Sequence, residues 1–185
     1  MTGCASRSLT PEGFDKEETQ MTPVNRAIHA FVREHAEAQT RFLAEIVKVP
    51  SDNPSGDCDR SATAVAKLLE DLGFQVERHK VPESLVKANG MISATNLIVR
   101  RRFGQGGPTI ALNAHGDVVP PGAGWTHDPY GAEIVDGWMV GRGAAVSKSD
   151  IATYAFAMLA LERSGAVGQC REGSLVGNLR RPDAE

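Results

Sequence analysis

The run Thr109-Ile-Ala-Leu-Asn-Ala114, followed at once by His115-Gly116-Asp117, constrains this chain more than any other feature. The predominantly apolar stretch over residues 109–114 predicts a strand buried within a sheet. At its C-terminal tip stand a histidine and, two residues on, an aspartate. Ligands and catalytic groups in open α/β sheets collect at that end of the strands. A neutral imidazole nitrogen suits Zn²⁺, and a neighbouring carboxylate can fix the tautomer and orientation of such a histidine. Gly116 permits a sharp backbone path between the two. On spacing alone, an ordinary polar cap at a strand end competes with this reading.

The surrounding pattern alternates helix and strand. Thr22-Pro23 marks a helix start, Thr as N-cap and Pro at the first helical position. Ile28, Phe31, Val32, Phe42, Leu43, Ile46 and Val47 continue at helical spacing, predicting one helix to about Lys48 that stops before Pro50. Residues 50–57 are loop by their chemistry. A second helix is predicted over 59–72, with Gly73 at the left-handed C′ position. Strands are predicted over about 74–81 and 95–103, with 81–90 unassigned. Asp136-Gly137 signals a hairpin within 131–140, and a third helix is expected over 148–163. This order argues for α/β architecture. From Val167 to Glu185 neither a helical stripe nor strand alternation is visible.

Composition bounds the rest. The 185 residues are 41% hydrophobic and 23% charged with a net charge of −3, ordinary globular values that suit one domain. Arg100-Arg101-Arg102 is too short for a nucleic-acid stripe. Cys4, Cys58 and Cys170 match neither a disulfide framework nor a zinc finger, so a cytoplasmic location is the simplest expectation. No membrane span and no secretion signal are visible. Residues 1–21 read as a disordered leader, and Met21 is a candidate natural start.

The sequence His115-Gly-Asp-Val-Val-Pro-Pro-Gly-Ala-Gly-Trp125, then Asp128-Pro-Tyr130, Asp136-Gly137 and Gly141-Arg-Gly143, together with Val47-Lys-Val-Pro-Ser-Asp-Asn-Pro54, resembles one family. It is the metallopeptidase and deacylase family of acetylornithine deacetylase, succinyl-diaminopimelate desuccinylase, aminoacylase and carboxypeptidase G. The likeness runs over roughly residues 25–165. It implies a partial zinc-peptidase-like catalytic domain, α/β with a mixed central sheet flanked by helices, spanning 22–166. It implies two divalent ions, usually zinc, which activate a bridging water and polarise an amide carbonyl; bound water can fall in pKa from 15.7 to about 7. A glutamate then serves as general base. Small N-acyl amino acids or peptides are the implied substrates, and a homodimer is an open expectation. By position, His115 matches the first metal-binding histidine and Asp117 the aspartate that supports catalysis. Gly141-Arg142-Gly143 leads into the helix carrying the bridging ligand.

Two departures follow. The position of the bridging aspartate holds Val146, which has no lone pair; Lys148 is retained, and Ser149 replaces a glycine. Asp150 lies one turn further on, about 5.4 Å of rise, and its spacing from Ser147 suits a capping box. The family's paired glutamates find only Asp183-Ala184-Glu185 in the corresponding region. Residues 167–185 are therefore expected to be an atypical, truncated or frame-shifted tail, the chain inactive as it stands with at most weak single-ion binding. An unpaired strand edge is expected to promote aggregation or self-association. A non-catalytic binding or dimerising remnant is one alternative. Another is a serine acyl-enzyme, suggested by Ser84-Leu-Val-Lys87 and Ser51-Asp-Asn53, although their order is reversed and no K-T-G follows. Trp125 and Tyr130 are expected to pack the loop walling the site. His127 is expected to be exposed, and His29, His35 and His79 structural.

Overall fold

The computed structural model describes residues 21–103, 109–165 and 173–177. The leader expected over 1–21 and most of the tail expected over 167–185 lie outside these residues.

Thr22 caps the first helix as its sequence suggests, its hydroxyl accepting from the Asn25 N–H at 3.2 Å with Pro23 at the first turn. The single helix expected to Lys48 is instead two, α1 (Pro23–Glu34) and α2 (Ala36–Val47). The break sits at His35. Its ring stacks on Phe31 at 3.9 Å between centroids, and its Nδ1 lies 2.9 Å from the Phe31 carbonyl oxygen, which the His35 backbone N–H also uses. A side chain inserted at the hydrogen-bond ladder is a recognised cause of a kink. Helical periodicity persists on both sides, so the sequence pattern does not reveal it.

After α2 come α3 (Asp59–Asp71), β1 (Val76–Lys80), a short α4 (Glu83–Ala88), β2 (Thr95–Arg101) and β3 (Ala111–Leu112). The hairpin β4 (Glu133–Val135) and β5 (Trp138–Val140) follows, then α5 (Lys148–Arg163) and β6 (Gly173–Gly177). Asp136 and Gly137 both take positive φ, 50° and 82°, as a two-residue hairpin turn demands.

The main sheet has the order β1-β2-β6-β3. β2 pairs antiparallel with both β1 and β6, while β3 runs parallel to β6, with Ala111 opposite Ser174 and Leu112 opposite Leu175. The architecture is thus the expected α/β with a mixed sheet. The strand at 173–177 was not foreseen: Gly-Ser-Leu-Val-Gly is too short and too glycine-bounded to announce itself, and only its central place between two other strands defines it. The β3 ladder is shorter than its apolar run suggests, two residues against an expected six.

One core unites helices and sheet. Phe31 of α1, Phe42 and Ile46 of α2, Val65 and Leu69 of α3, Leu97 and Val99 of β2, and Ala152, Ala155 and Phe156 of α5 belong to a single buried cluster. Phe42 meets Phe156 edge-on at 5.9 Å. α5 buries a wide face: Ile151, Ala152, Ala155, Phe156, Met158 and Ala160 are buried, while Tyr154 and Leu159 are only partly so. Among the described residues no helix is long and apolar enough to cross a membrane.

Candidate functional site

The chain leaving β3 delivers His115 and Asp117 side by side, as the sequence implies. His115 Nδ1 lies 3.0 Å from the backbone oxygen of Asp117 and 3.2 Å from its Oδ1. Both partners are acceptors, so in the neutral ring Nδ1 carries the hydrogen and Nε2 keeps its lone pair. Asp117 is nearly buried, and its other oxygen accepts from Asn53 Nδ2 at 3.0 Å.

Three consecutive residues set apart in the sequence as a serine-enzyme decoy turn out to brace this turn. Ser51 donates to the Gly116 carbonyl at 2.6 Å. Asp52 accepts from the Tyr130 hydroxyl, and Asn53 holds Asp117. Their backbone joins the same turn: Val118 N–H donates to Ser51 at 3.0 Å, and Asn53 N–H to Val118 at 2.8 Å. Burial and the Asp52 carboxylate push the Tyr130 phenol well above its usual range. The pattern Ser-Asp-Asn signalled polar loop chemistry but not its partners 64 to 78 residues away. Ser84 and Lys87 lie on α4 and do not line the cavity described below.

The opposite wall is the segment 141–147. Its two glycines are required by close approach. A Cβ on Gly141 would stand 2.6 Å from Val47 Cγ1; one on Gly143, at φ +84°, would stand 2.7 Å from Val118 Cγ1. Behind it Lys148 is fully buried, its ammonium donating to the carbonyls of Ile46 at 3.1 Å and Val49 at 2.9 Å near the end of α2. Burial lowers its pKa to about 8, against the weaker opposing pull of Asp52 and Cys58. Cys58, also buried, has its thiol pushed up to about 11, chiefly by desolvation, which makes it a poor nucleophile.

The capping box expected at Ser147 and Asp150 does not form. The Ser147 hydroxyl donates to Asp150 Oδ2 at 2.9 Å and accepts from the His115 backbone N–H at 3.3 Å, so the α5 cap has no side-chain bond to its own backbone. The serine is drawn toward the sheet because the His115 amide needs an acceptor there.

Between the walls lies an open cavity of about 580 Å³, lined by Asn53, His115, Asp117, Arg142 and, on its apolar side, Val119 and Val146 among others. Val146 is 64% exposed. Trp125 and Tyr130 wall the loop as expected: Trp125 donates to the Pro121 carbonyl at 2.8 Å and lies under the Arg142 guanidinium. His127 pairs with Glu133 at 2.9 Å, and His29 and His79 are exposed.

Among the described residues no group of three or more His, Cys, Asp and Glu side chains could hold a metal ion. His115 offers one nitrogen, Asp117 is engaged by His115 and Asn53, Asp150 by Ser147, and Val146 has nothing to donate. This donor set does not fit a two-ion centre.

Residues 111–170 match the family described as peptidase family M20/M25/M40. A succinyl-diaminopimelate desuccinylase of Acidiphilium cryptum is 40% identical over 129 residues, 66% of this chain and 32% of that protein. Another, of Rhizorhabdus wittichii, is 42% identical over 110 residues, 59% of this chain and 26% of that protein. Over the matched residues the chain is similar to the M20 peptidase family. It spans about a third of the length of the curated relatives it matches. The M20 fold is also seen in human carnosine dipeptidase 1, with a TM-score of 0.63 and 22% identity, covering 89% of this chain and 36% of that one. The di-peptidase Dug1p of Saccharomyces cerevisiae gives a TM-score of 0.64 at 19% identity, covering 85% of this chain and 35% of that one.

Proposed function

We propose that this chain is the N-terminal part of a metal-dependent amide hydrolase of cytoplasmic location, acting as a whole protein on N-acyl amino acids or small peptides, and that the 185-residue chain itself does not turn over substrate. Residues 22–166, with β6 (Gly173–Gly177) completing their sheet, make up this part of the catalytic domain, and the rest of 167–185 is an atypical tail. The observation that carries the reading is the pairing of His115 with Asp117 at a strand tip while Val146 lines the facing wall. His115 Nε2 is the nitrogen that would meet an ion, and Asp117 is the group that orients it. Val146 leaves the second ion without a bridging oxygen. The resemblance to desuccinylases supports the amide chemistry, and the valine at position 146 supports the inactivity.

The test is zinc titration by calorimetry alongside hydrolysis of an N-succinyl amino acid and a dipeptide. The expected result is at most one weakly held zinc, lost on His115→Ala, and no turnover above the uncatalysed rate. Two tightly held zinc ions with turnover would overturn the inactivity. Zinc binding unchanged by His115→Ala would overturn the ligand assignment.

A second reading, a non-catalytic binding module on the same fold, is favoured by one specific observation. The cavity persists with an exposed valine in it and a cation on its rim.

A further inference from the structure

The two edges of the main sheet are finished differently. β1 presents Glu77, Arg78, His79 and Lys80, all exposed. They are tied into ion pairs: Arg78 to Glu70 at 2.7 Å, Glu77 to Arg100 at 2.9 Å and Lys80 to Asp59 at 3.5 Å. Hydrated charge of this kind, lysine above all, keeps other strands off an edge. β3 forms the opposite edge, and the residues on and around it, Thr109-Ile-Ala-Leu-Asn113, carry no charge. Their sequence is that of an interior strand, yet Thr109, Ala111 and Asn113 are exposed and Ile110 is 61% exposed. Leu112 packs against the core but is only partly buried. Among the described residues, no backbone hydrogen bond outside the sheet's own ladder reaches residues 109–113. A strand paired on one side turns a row of N–H and C=O groups outward, so β3 offers these groups beside bare apolar side chains.

We propose that a second copy of this chain covers this edge, the two β3 strands pairing antiparallel about a twofold axis at Ala111. The register argues for this occupant. With Ala111 opposite its own counterpart, Ile110 faces Leu112 of the partner subunit and Thr109 faces Asn113 of the partner subunit. Apolar meets apolar, polar meets polar, and no like charges oppose one another, so the five residues match themselves when reversed. The chain's own terminal segments are poorer occupants: residues 1–20 and 178–185 each contain a proline and several charged side chains, which disfavour pairing. Of the main sheet's two edges only β3 is uncharged, so the assembly closes on itself as two four-stranded sheets joined edge to edge, with β1 at both ends. This narrows the open expectation of a homodimer to one named strand, and it requires neither metal nor turnover.

Sedimentation velocity on the full chain is the test. It is run in reducing buffer with EDTA, so that neither a disulfide from Cys4, Cys58 or Cys170 nor a shared zinc ion joins the copies. The expected result is a concentration-dependent monomer–dimer equilibrium that stops at two. Ile110→Lys sets a charge against Leu112 of the partner subunit, twice per dimer, and should weaken association by about tenfold or more. The double variant Thr109→Lys/Asn113→Asp, at two exposed positions, should dimerise at least about threefold more tightly than either single variant, because its opposite charges face one another twice in this register. Trp138→Ser removes an indole 79% exposed on the β4–β5 hairpin and should leave the dimer unchanged. Far-UV spectra should match the parent throughout, and the charge-pair variants carry the test if Ile110→Lys fails to fold. A monomer at every concentration, growth beyond two, or an unweakened dimer in folded Ile110→Lys would overturn pairing through β3. So would dissolution by Trp138→Ser. A double variant no tighter than the single variants would overturn the register. The hydrolase reading stands or falls separately on its own zinc titration.

Discussion

The two walls of the cavity are built by different means. The wall bearing His115 and Asp117 is held by side-chain hydrogen bonds close to the cavity, from Ser51, Asn53 and the Asp117 carboxylate itself. The wall at 141–147 is held from behind, by glycines pressed against Val47 and Val118 and by a buried lysine reaching the end of α2. Its cavity face at Val146 carries no polar contact. The difference shows that the placement of this wall and the chemistry on it are separable. The contacts that hold this wall come from Gly141, Gly143 and Lys148, and the Val146 side chain takes no part in them.

Gly143→Ala should break the comparison most severely. A Cβ at φ +84° and 2.7 Å from Val118 Cγ1 combines backbone strain with overpacking, for about 2–4 kcal/mol lost in denaturant unfolding. Lys148→Met should cost about 1–3 kcal/mol, because two carbonyls lose a charged donor. The same lysine gives a pH signature. Its proton leaves near pH 8 in the folded chain and near 10.5 in the unfolded one. In that window the unfolded state binds more protons, so this group makes stability rise with pH. Cys58 acts in the opposite sense between about 9 and 11, so pH 8 to 9 is the clean interval. Unfolding midpoints across it should rise in the parent and flatten in Lys148→Met. The smallest effects sharpen the contrast: Ser51→Ala should cost about 1–2 kcal/mol, whereas Val146→Asp should stay within about 0.5 kcal/mol. A large loss for Val146→Asp would show that its side chain does help to hold its wall.

Much of the fold could be read in the sequence because its signals are local. Capping at Thr22, the glycine after α3 and the Asp136-Gly137 turn each depend on a few neighbouring residues. The His115–Asp117 pairing was legible for the same reason, being two residues apart. What escaped was non-local. Asn53 and Ser51 act on residues 64 and 65 positions away, and Lys148 on carbonyls about 100 away. The kink at His35 escaped because both halves keep the same apolar face. Arg142 was read only as part of a motif, since its stacking on Trp125 depends on a fold-back of the intervening loop.

The position of β6 has a consequence for synthesis. The strand between β2 and β3 is the last described element of the chain, so a ribosome has already released both neighbours before their common partner emerges. The nascent chain must keep two strand edges apart, while its helices dock, until about residue 177 clears the exit tunnel. Pairing of this kind closes long loops and is intrinsically slow. The sheet that presents His115 is therefore assembled late, and a translational pause shortly before β6 would prolong the interval in which those edges are open to other chains.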